Sequence, residues 1–170
     1  MQRTVAHHAK KRARELVKEE PAQRFVPPPR NESQWNAVYN YLTSKRGLPD
    51  TLVNALYEQG IVYADDHQNA VCTMRSFSGV DKVSQSQGAK KSPTPTVGAF
   101  LRGTRGENNS FMGYAIGTNR NQGWFYVGWG GRSGDEIQRI VLCKSPIDAL
   151  SYLTLESQIV RKASIPKTIY

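Results

Sequence analysis

The chain has 170 residues, enough for one domain or a small domain with an arm, and its 38% hydrophobic content is low for a chain packed throughout. A net charge of +9 favours polyanionic partners, of which DNA or RNA is the commonest class. No apolar run approaches a bilayer-spanning length and the first ten residues lack a secretory apolar core, so the expectation is a cytoplasmic protein with no membrane partner. No small-molecule cofactor is expected either.

Residues 1–30 read as a basic arm and a proline-rich linker. Lys10, Lys11, Arg12 and Arg14 precede Glu15, Glu19 and Glu20, an order that opposes the helix dipole. A frayed helix over Ala9–Glu20, or an arm, is expected there. Phe25-Val-Pro-Pro-Pro-Arg30 stops any helix, because proline fixes φ and has no N–H to donate. A helical hairpin follows. In Glu32–Tyr41 the apolar residues Trp35, Val38, Tyr39 and Leu42 recur at helical spacing, and Arg46-Gly47 ends the run. Pro49 opens Asp50–Glu58, whose stripe is Leu52, Val53, Leu56 and Tyr57, and Gly60 stops it.

Strands are expected at Ile61–Tyr63, Ala70–Phe77, Val97–Arg102, Phe111–Ile116, Trp124–Trp129 and Arg139–Cys143. Asp65–Asn69 reads as a turn, and the Ser-, Gln-, Lys- and Gly-rich stretch 78–96 as a long mobile loop. Spacing this short favours antiparallel pairing. Arg139–Cys143 reads as buried, followed by a helix over Pro146–Leu155, and Lys167–Tyr170 reads as the start of one more strand. Cys72 and Cys143 both sit in apolar runs, so both are expected to be reduced core residues. Ten glycines between residues 98 and 134 read as turns and bulges, since no phosphate-loop pattern accompanies them. His7, His8 and His67 have no partners at metal-ligand spacing, and Lys90 and Lys91 fall in the long loop. Ser145 follows a strand like a nucleophile elbow but lacks the flanking glycines.

Cations and rings gather in the strand region: Arg102, Arg105, Arg120, Arg132 and Arg139 beside Trp124, Phe125, Tyr126 and Trp129. Such a set suits phosphates and bases. Strand alternation puts Trp124 and Tyr126 on one face and Phe125, Val127 and Trp129 on the other, so one set belongs to the core. The candidate nucleic-acid-binding residues are Arg102, Arg105, Arg46, Lys45, Arg120 and Arg132.

Two segments carry a family resemblance. Tyr41-Leu-Thr-Ser-Lys-Arg-Gly-Leu-Pro-Asp50, with Leu56-Tyr-Glu-Gln-Gly60 and Asn69-Ala-Val71, is similar to the helical segment leading into bacterial-type primase cores. It looks closer still to an uncharacterised domain preceding Toprim domains in proteins of plasmids and other mobile elements, where Leu101-Arg-Gly-Thr104 also has a counterpart. Ile140-Val-Leu-Cys-Lys-Ser-Pro-Ile-Asp-Ala-Leu150 resembles the first strand and helix of the Toprim domain itself. The resemblance implies a parallel sheet flanked by helices and, in intact members, Mg²⁺ bound through Asp-x-Asp carboxylates, with a Glu on the first strand–helix turn acting in acid–base chemistry or near the metal. Here Lys144 stands at the Glu position, four residues before Asp148, and no Asp-x-Asp strand occurs. An ammonium donates hydrogen bonds and cannot coordinate a cation.

The expected architecture is therefore α+β: a basic arm over 1–30, a primase-like hairpin and mostly antiparallel sheet over 31–135, and a partial Toprim-like unit over 136–170, apparently truncated. The expected function is nucleic-acid binding in DNA replication of a mobile element, without catalysis by this chain. Lys144 and Asp148 mark the family's catalytic position, with no metal ligands and no cofactor. A Mg²⁺-dependent nucleotidyl or phosphotransfer enzyme completed by other residues, and a protein–protein module, are the alternatives.

Overall fold

The apolar spacing at residues 35–42 and the Pro49/Gly60 bracket around the next apolar stripe produce the expected helical hairpin. A computed structural model describes residues 24–76, 95–106, 109–132, 135–160 and 165–170. The first helical run opens with a 3₁₀ turn at Glu32–Gln34, where the Asn31 side chain accepts from the Ser33 amide at 2.9 Å. It continues as α1 (Trp35–Asn40) and ends in a π-helical turn, Tyr41–Lys45, beyond the expected limit at Tyr41. Helix α2 spans Asp50–Glu58, as the sequence predicts, and Gly60 stops it at φ +67°. Val38, Leu42, Val53 and Leu56 are the buried aliphatic positions of the two helical runs, and Tyr41 is buried with them. Each such aliphatic side chain contributes about 1.5–3 kcal/mol of transfer free energy on full burial.

Five strands form the first sheet: β1 (Val62–Ala64), β2 (Asn69–Ser76), β3 (Thr96–Gly103), β4 (Met112–Tyr114) and β5 (Gly123–Trp124). The order is β1-β2-β3-β4, all antiparallel, and β5 takes up the end of β2 at Arg75 and Ser76. Gly123 is required at that junction, because a Cβ there would stand 2.3 Å from the Arg75 carbonyl oxygen. One face of the sheet, with Val62, Ala70, Cys72 and Phe100, packs on the hairpin. The other, with Tyr63, Val71 and Ala99, is covered in part by Phe25 and Tyr57. The proline-rich linker is tied down: its prolines cannot donate, but the Pro28 carbonyl accepts from the Tyr63 hydroxyl at 2.9 Å, and the Asn31 amide donates to the Ala64 carbonyl at 2.8 Å.

The second sheet has order β6-β8-β7, from β6 (Gly128–Trp129), β7 (Arg139–Ile140) and β8 (Thr168–Ile169). β7 and β8 are parallel, joined through helix α3 (Pro146–Ile159), as parallel neighbours require a crossover. β6 is antiparallel to β8 and supplies the third strand. The hydrophobic core runs through both sheets, drawing on Val38 and Leu42 as well as Ile147, Leu150, Leu153 and Tyr170.

The α+β class and the mostly antiparallel sheet are as expected. Three expectations are corrected. The single strand Trp124–Trp129 is two, because the chain leaves the first sheet after Trp124 and joins the second at Gly128. Phe125, Val127 and Trp129 still face the core, while Trp124 is about half-exposed. The run Arg139–Cys143 is not buried: β7 is an edge strand, its ladder covers Arg139–Ile140, and Leu142 is 92% exposed. Cys143 accordingly is exposed, whereas Cys72 lies in the core. The expected arm helix over Ala9–Glu20, the loop lysines Lys90 and Lys91, and His7 and His8 lie outside the described residues.

Candidate functional site

The π-helical turn explains the most unusual polar arrangement. Its wider coil bonds the Arg46 amide to the Tyr41 carbonyl at 3.1 Å, five residues back. In an α-helix, residue i+5 points well away from residue i; here Arg46 returns over Tyr41. The Arg46 Nε donates to the Tyr41 hydroxyl at 2.8 Å, with the guanidinium 5.1 Å from the ring centroid. From the middle of the sheet, Arg102 Nε donates to the same oxygen at 2.9 Å. Two guanidinium groups, 56 positions apart in sequence by their residue numbers, thus converge on one phenol oxygen. Among the described residues neither makes an ion pair with a carboxylate.

Arg102 is held from its other side by the Ser110 and Asn109 carbonyls, at 3.4 and 3.3 Å. Gly103 makes that approach possible, since a Cβ there would lie 2.6 Å from the Asn109 side chain. Thr104 closes the Leu-Arg-Gly-Thr segment by donating from its hydroxyl to the Gln68 carbonyl at 2.6 Å. That anchors the β1–β2 turn, which Asp65 ties internally by accepting from the His67 and Asn69 amides at 2.9 and 2.8 Å.

At the strand–helix turn, Ser145 caps α3. Its hydroxyl accepts from the Asp148 amide at 3.3 Å and donates to Asp148 Oδ2 at 2.9 Å. Asp148 is therefore a first-turn acid fixed to its own cap, which suits the positive end of the helix. Lys144 is exposed and lines an apolar cleft of about 420 Å³. Exposure removes the desolvation that a nucleophilic lysine needs. These residues do not fit Mg²⁺: one carboxylate, already engaged by a hydroxyl, stands beside an ammonium where an octahedral ion needs several oxygen donors. Among the described residues no group of three or more His, Cys, Asp or Glu side chains is placed to share a metal.

A model of the family described as protein of unknown function (DUF3991) matches residues 40–133. The chain belongs to that family. No curated protein and no solved structure matches it. The DUF3991 segment contains the π-helical turn, all of the first sheet and β6, and with them Tyr41, Arg46 and Arg102. It stops before β7 and α3, so Lys144 and Asp148 lie outside it.

The other candidates are dispersed. Lys45 is exposed beside Arg46. Arg120 lies over the Tyr114 ring at 4.6 Å. Arg105 and Arg132 sit on exposed loops after β3 and β6. Arg139 belongs to a structural clasp instead: it pairs with Glu156, which also accepts from the Tyr170 hydroxyl, and its Nε donates to Thr168 Oγ1 at 3.2 Å. The Arg139 hydrogen bond, and then that from Tyr170, hold the Glu156 carboxyl below the ordinary glutamate range. Sequence reasoning named both converging arginines but not Tyr41 as their meeting point. The signal available was that Tyr41 and Arg46 share the Tyr41–Asp50 motif and Arg102 stands in Leu101-Arg-Gly-Thr104.

Proposed function

We propose that this protein binds nucleic acid through the DUF3991 segment, with Arg46 and Arg102 as a prearranged phosphate-binding pair. The observation that carries the reading is their convergence on the Tyr41 hydroxyl without a carboxylate partner among the described residues. Arginines held by neutral acceptors keep their charge uncompensated and their forks oriented, which suits phosphate oxygens. The net charge of +9 supplies long-range attraction to the same partner.

A Toprim-like character for residues 136–170, after a primase-like unit over 31–135, belongs to the same proposal. It is supported by the order strand β7, helix α3, parallel strand β8, with Lys144 at the intervening turn. Magnesium-dependent phosphotransfer draws no support from the donors at that turn, so the proposed role is binding rather than catalysis. The setting in DNA replication of a mobile element rests on the sequence resemblance alone.

Fluorescence anisotropy with labelled DNA across a salt series tests this. Affinity should fall steeply with salt, and Arg102→Gln or Arg46→Gln should weaken binding and flatten the salt slope by about 1 each. Absence of binding to both single- and double-stranded DNA at low salt would sink the reading and leave the protein–protein alternative.

A further inference from the structure

The cleft between the two sheets has a chemistry of its own. It is about 420 Å³ and lined mainly by apolar side chains, and its walls include Phe100, Tyr114, Trp124, Phe125 and Tyr126 with Lys144 at the strand–helix turn. That is within the size range of small-ligand clefts. The rings are held in place. Phe100 meets Tyr114 edge to face, with centroids 5.6 Å apart and an interplanar angle of 81°. Arg120 covers Tyr114 at 4.6 Å. Arg75 covers Tyr126 at 4.1 Å and donates to the Tyr126 carbonyl at 2.6 Å. Tyr114 and Trp124 are both about half-exposed, so part of each is open to solvent.

Side-chain charge at the cleft has one sign. Lys144 is the only charged side chain among its described lining residues, and Arg120, outside the lining, lies over the ring of the wall residue Tyr114. Asp148, the acid on the same turn, directs its carboxylate to Ser145 Oγ at 2.9 Å. The cleft also adjoins the arginine pair. Phe100 and Arg102 are alternate residues of β3, so they share a face of the sheet about 7 Å apart. Tyr114, opposite Phe100, and Met112, opposite Arg102, lie on that face too.

We propose that this cleft receives one unstacked base of a single-stranded nucleic acid, with Lys144 and Arg120 meeting the flanking phosphates. The proposal deepens the nucleic-acid reading and rests on it: the arginine pair holds backbone, and the aromatic cleft decides that the strand is single. A duplex keeps its bases stacked and pays to extrude one. Aromatic walls accept any base, because every base has a π-face, so little sequence preference is expected.

The experiment uses the full chain, a labelled oligothymidylate and a duplex of equal length at low salt. Tyr114→Ala and Trp124→Ala remove half-exposed rings, and circular dichroism checks that the variants stay folded. Each should weaken oligothymidylate binding at least about fivefold and leave duplex binding within about twofold. Lys144→Gln should weaken the single strand less, with a smaller salt slope. Single-strand binding that is unchanged in both ring variants overturns the cleft while leaving the arginine reading intact. Arg102→Gln weakening both nucleic acids supports that reading independently. Thymidine monophosphate binding as tightly as the oligonucleotide would also overturn the proposal, since the cleft would then serve a free nucleotide.

Discussion

The two sheets of this molecule use apolar sequence in opposite ways. In the first, the residues that alternate along β2 and β3 are buried on both faces, and the hairpin lies against one of them. Two of its candidate cations, Arg46 and Arg102, are fixed by neutral oxygens. In the second, every strand has two ladder residues, and the most apolar run, Ile140-Val-Leu-Cys143, lies at an edge. Ile140 is 58% exposed and Leu142 is 92% exposed. An apolar run therefore shows where a strand starts, but only its neighbours determine whether it is covered.

The largest expected effect breaks this comparison most directly. Leu42, 1% exposed in the hairpin core, and Leu142, 92% exposed beside β7, are the same residue in opposite settings. Leu42→Ala should cost about 2–5 kcal/mol of unfolding free energy, through lost transfer and the cavity left behind. Leu142→Ala should stay within about 0.5 kcal/mol. Urea denaturation of both variants checks it; equal losses would mean that the edge at Leu142 is covered in solution.

Much of the first sheet was legible for the same reason that it is well packed. Pro49 and Gly60 bracket α2, and β2 and β3 match their expected limits to within one residue. Local signals and tertiary packing agree there. Three features escaped. The π-helical turn defeats a reading based on 3.6-residue periodicity, so Arg46 could not be placed over Tyr41. The change of sheet between Trp124 and Gly128 leaves the alternation of Phe125, Val127 and Trp129 intact, so one strand and two look alike. The exposure of Cys143 depends on β7 being an edge, which is set by strand order. For the candidate site, the motifs supplied the cations, while their convergence required the fold.

A smaller effect sharpens the comparison within the second sheet. Its short strands are held by the Arg139–Glu156–Tyr170 clasp, and Glu156 is the member that titrates in acid. Because its folded carboxyl is depressed, chiefly by the Arg139 hydrogen bond, its contribution is fully present above the ordinary glutamate range. It declines as the pH falls into that range, where the unfolded chain takes up the proton first, and is lost once the folded carboxyl protonates. The Tm of the native chain should therefore drop more steeply in acid than that of Glu156→Gln. Parallel curves would show that the clasp does not hold the second sheet.

The mildest probe needs no substitution. Cys72 lies on β2 at 0% exposure, and burial pushes its thiol up to about 12. Cys143, past the end of β7, is exposed, and its thiol is raised by partial burial and then by the charge of Asp148. Only a thiolate reacts readily with disulfide reagents. In the folded protein one thiol should therefore react, slowly for an exposed cysteine, and the second only after denaturant is added. Raising the pH should speed the first reaction without admitting the second until the fold opens. A bound oligothymidylate should slow it further, because Cys143 is part of the cleft wall. Protection of Cys143 by single-stranded DNA but not by duplex would connect the exposed edge of the second sheet to the cations of the first.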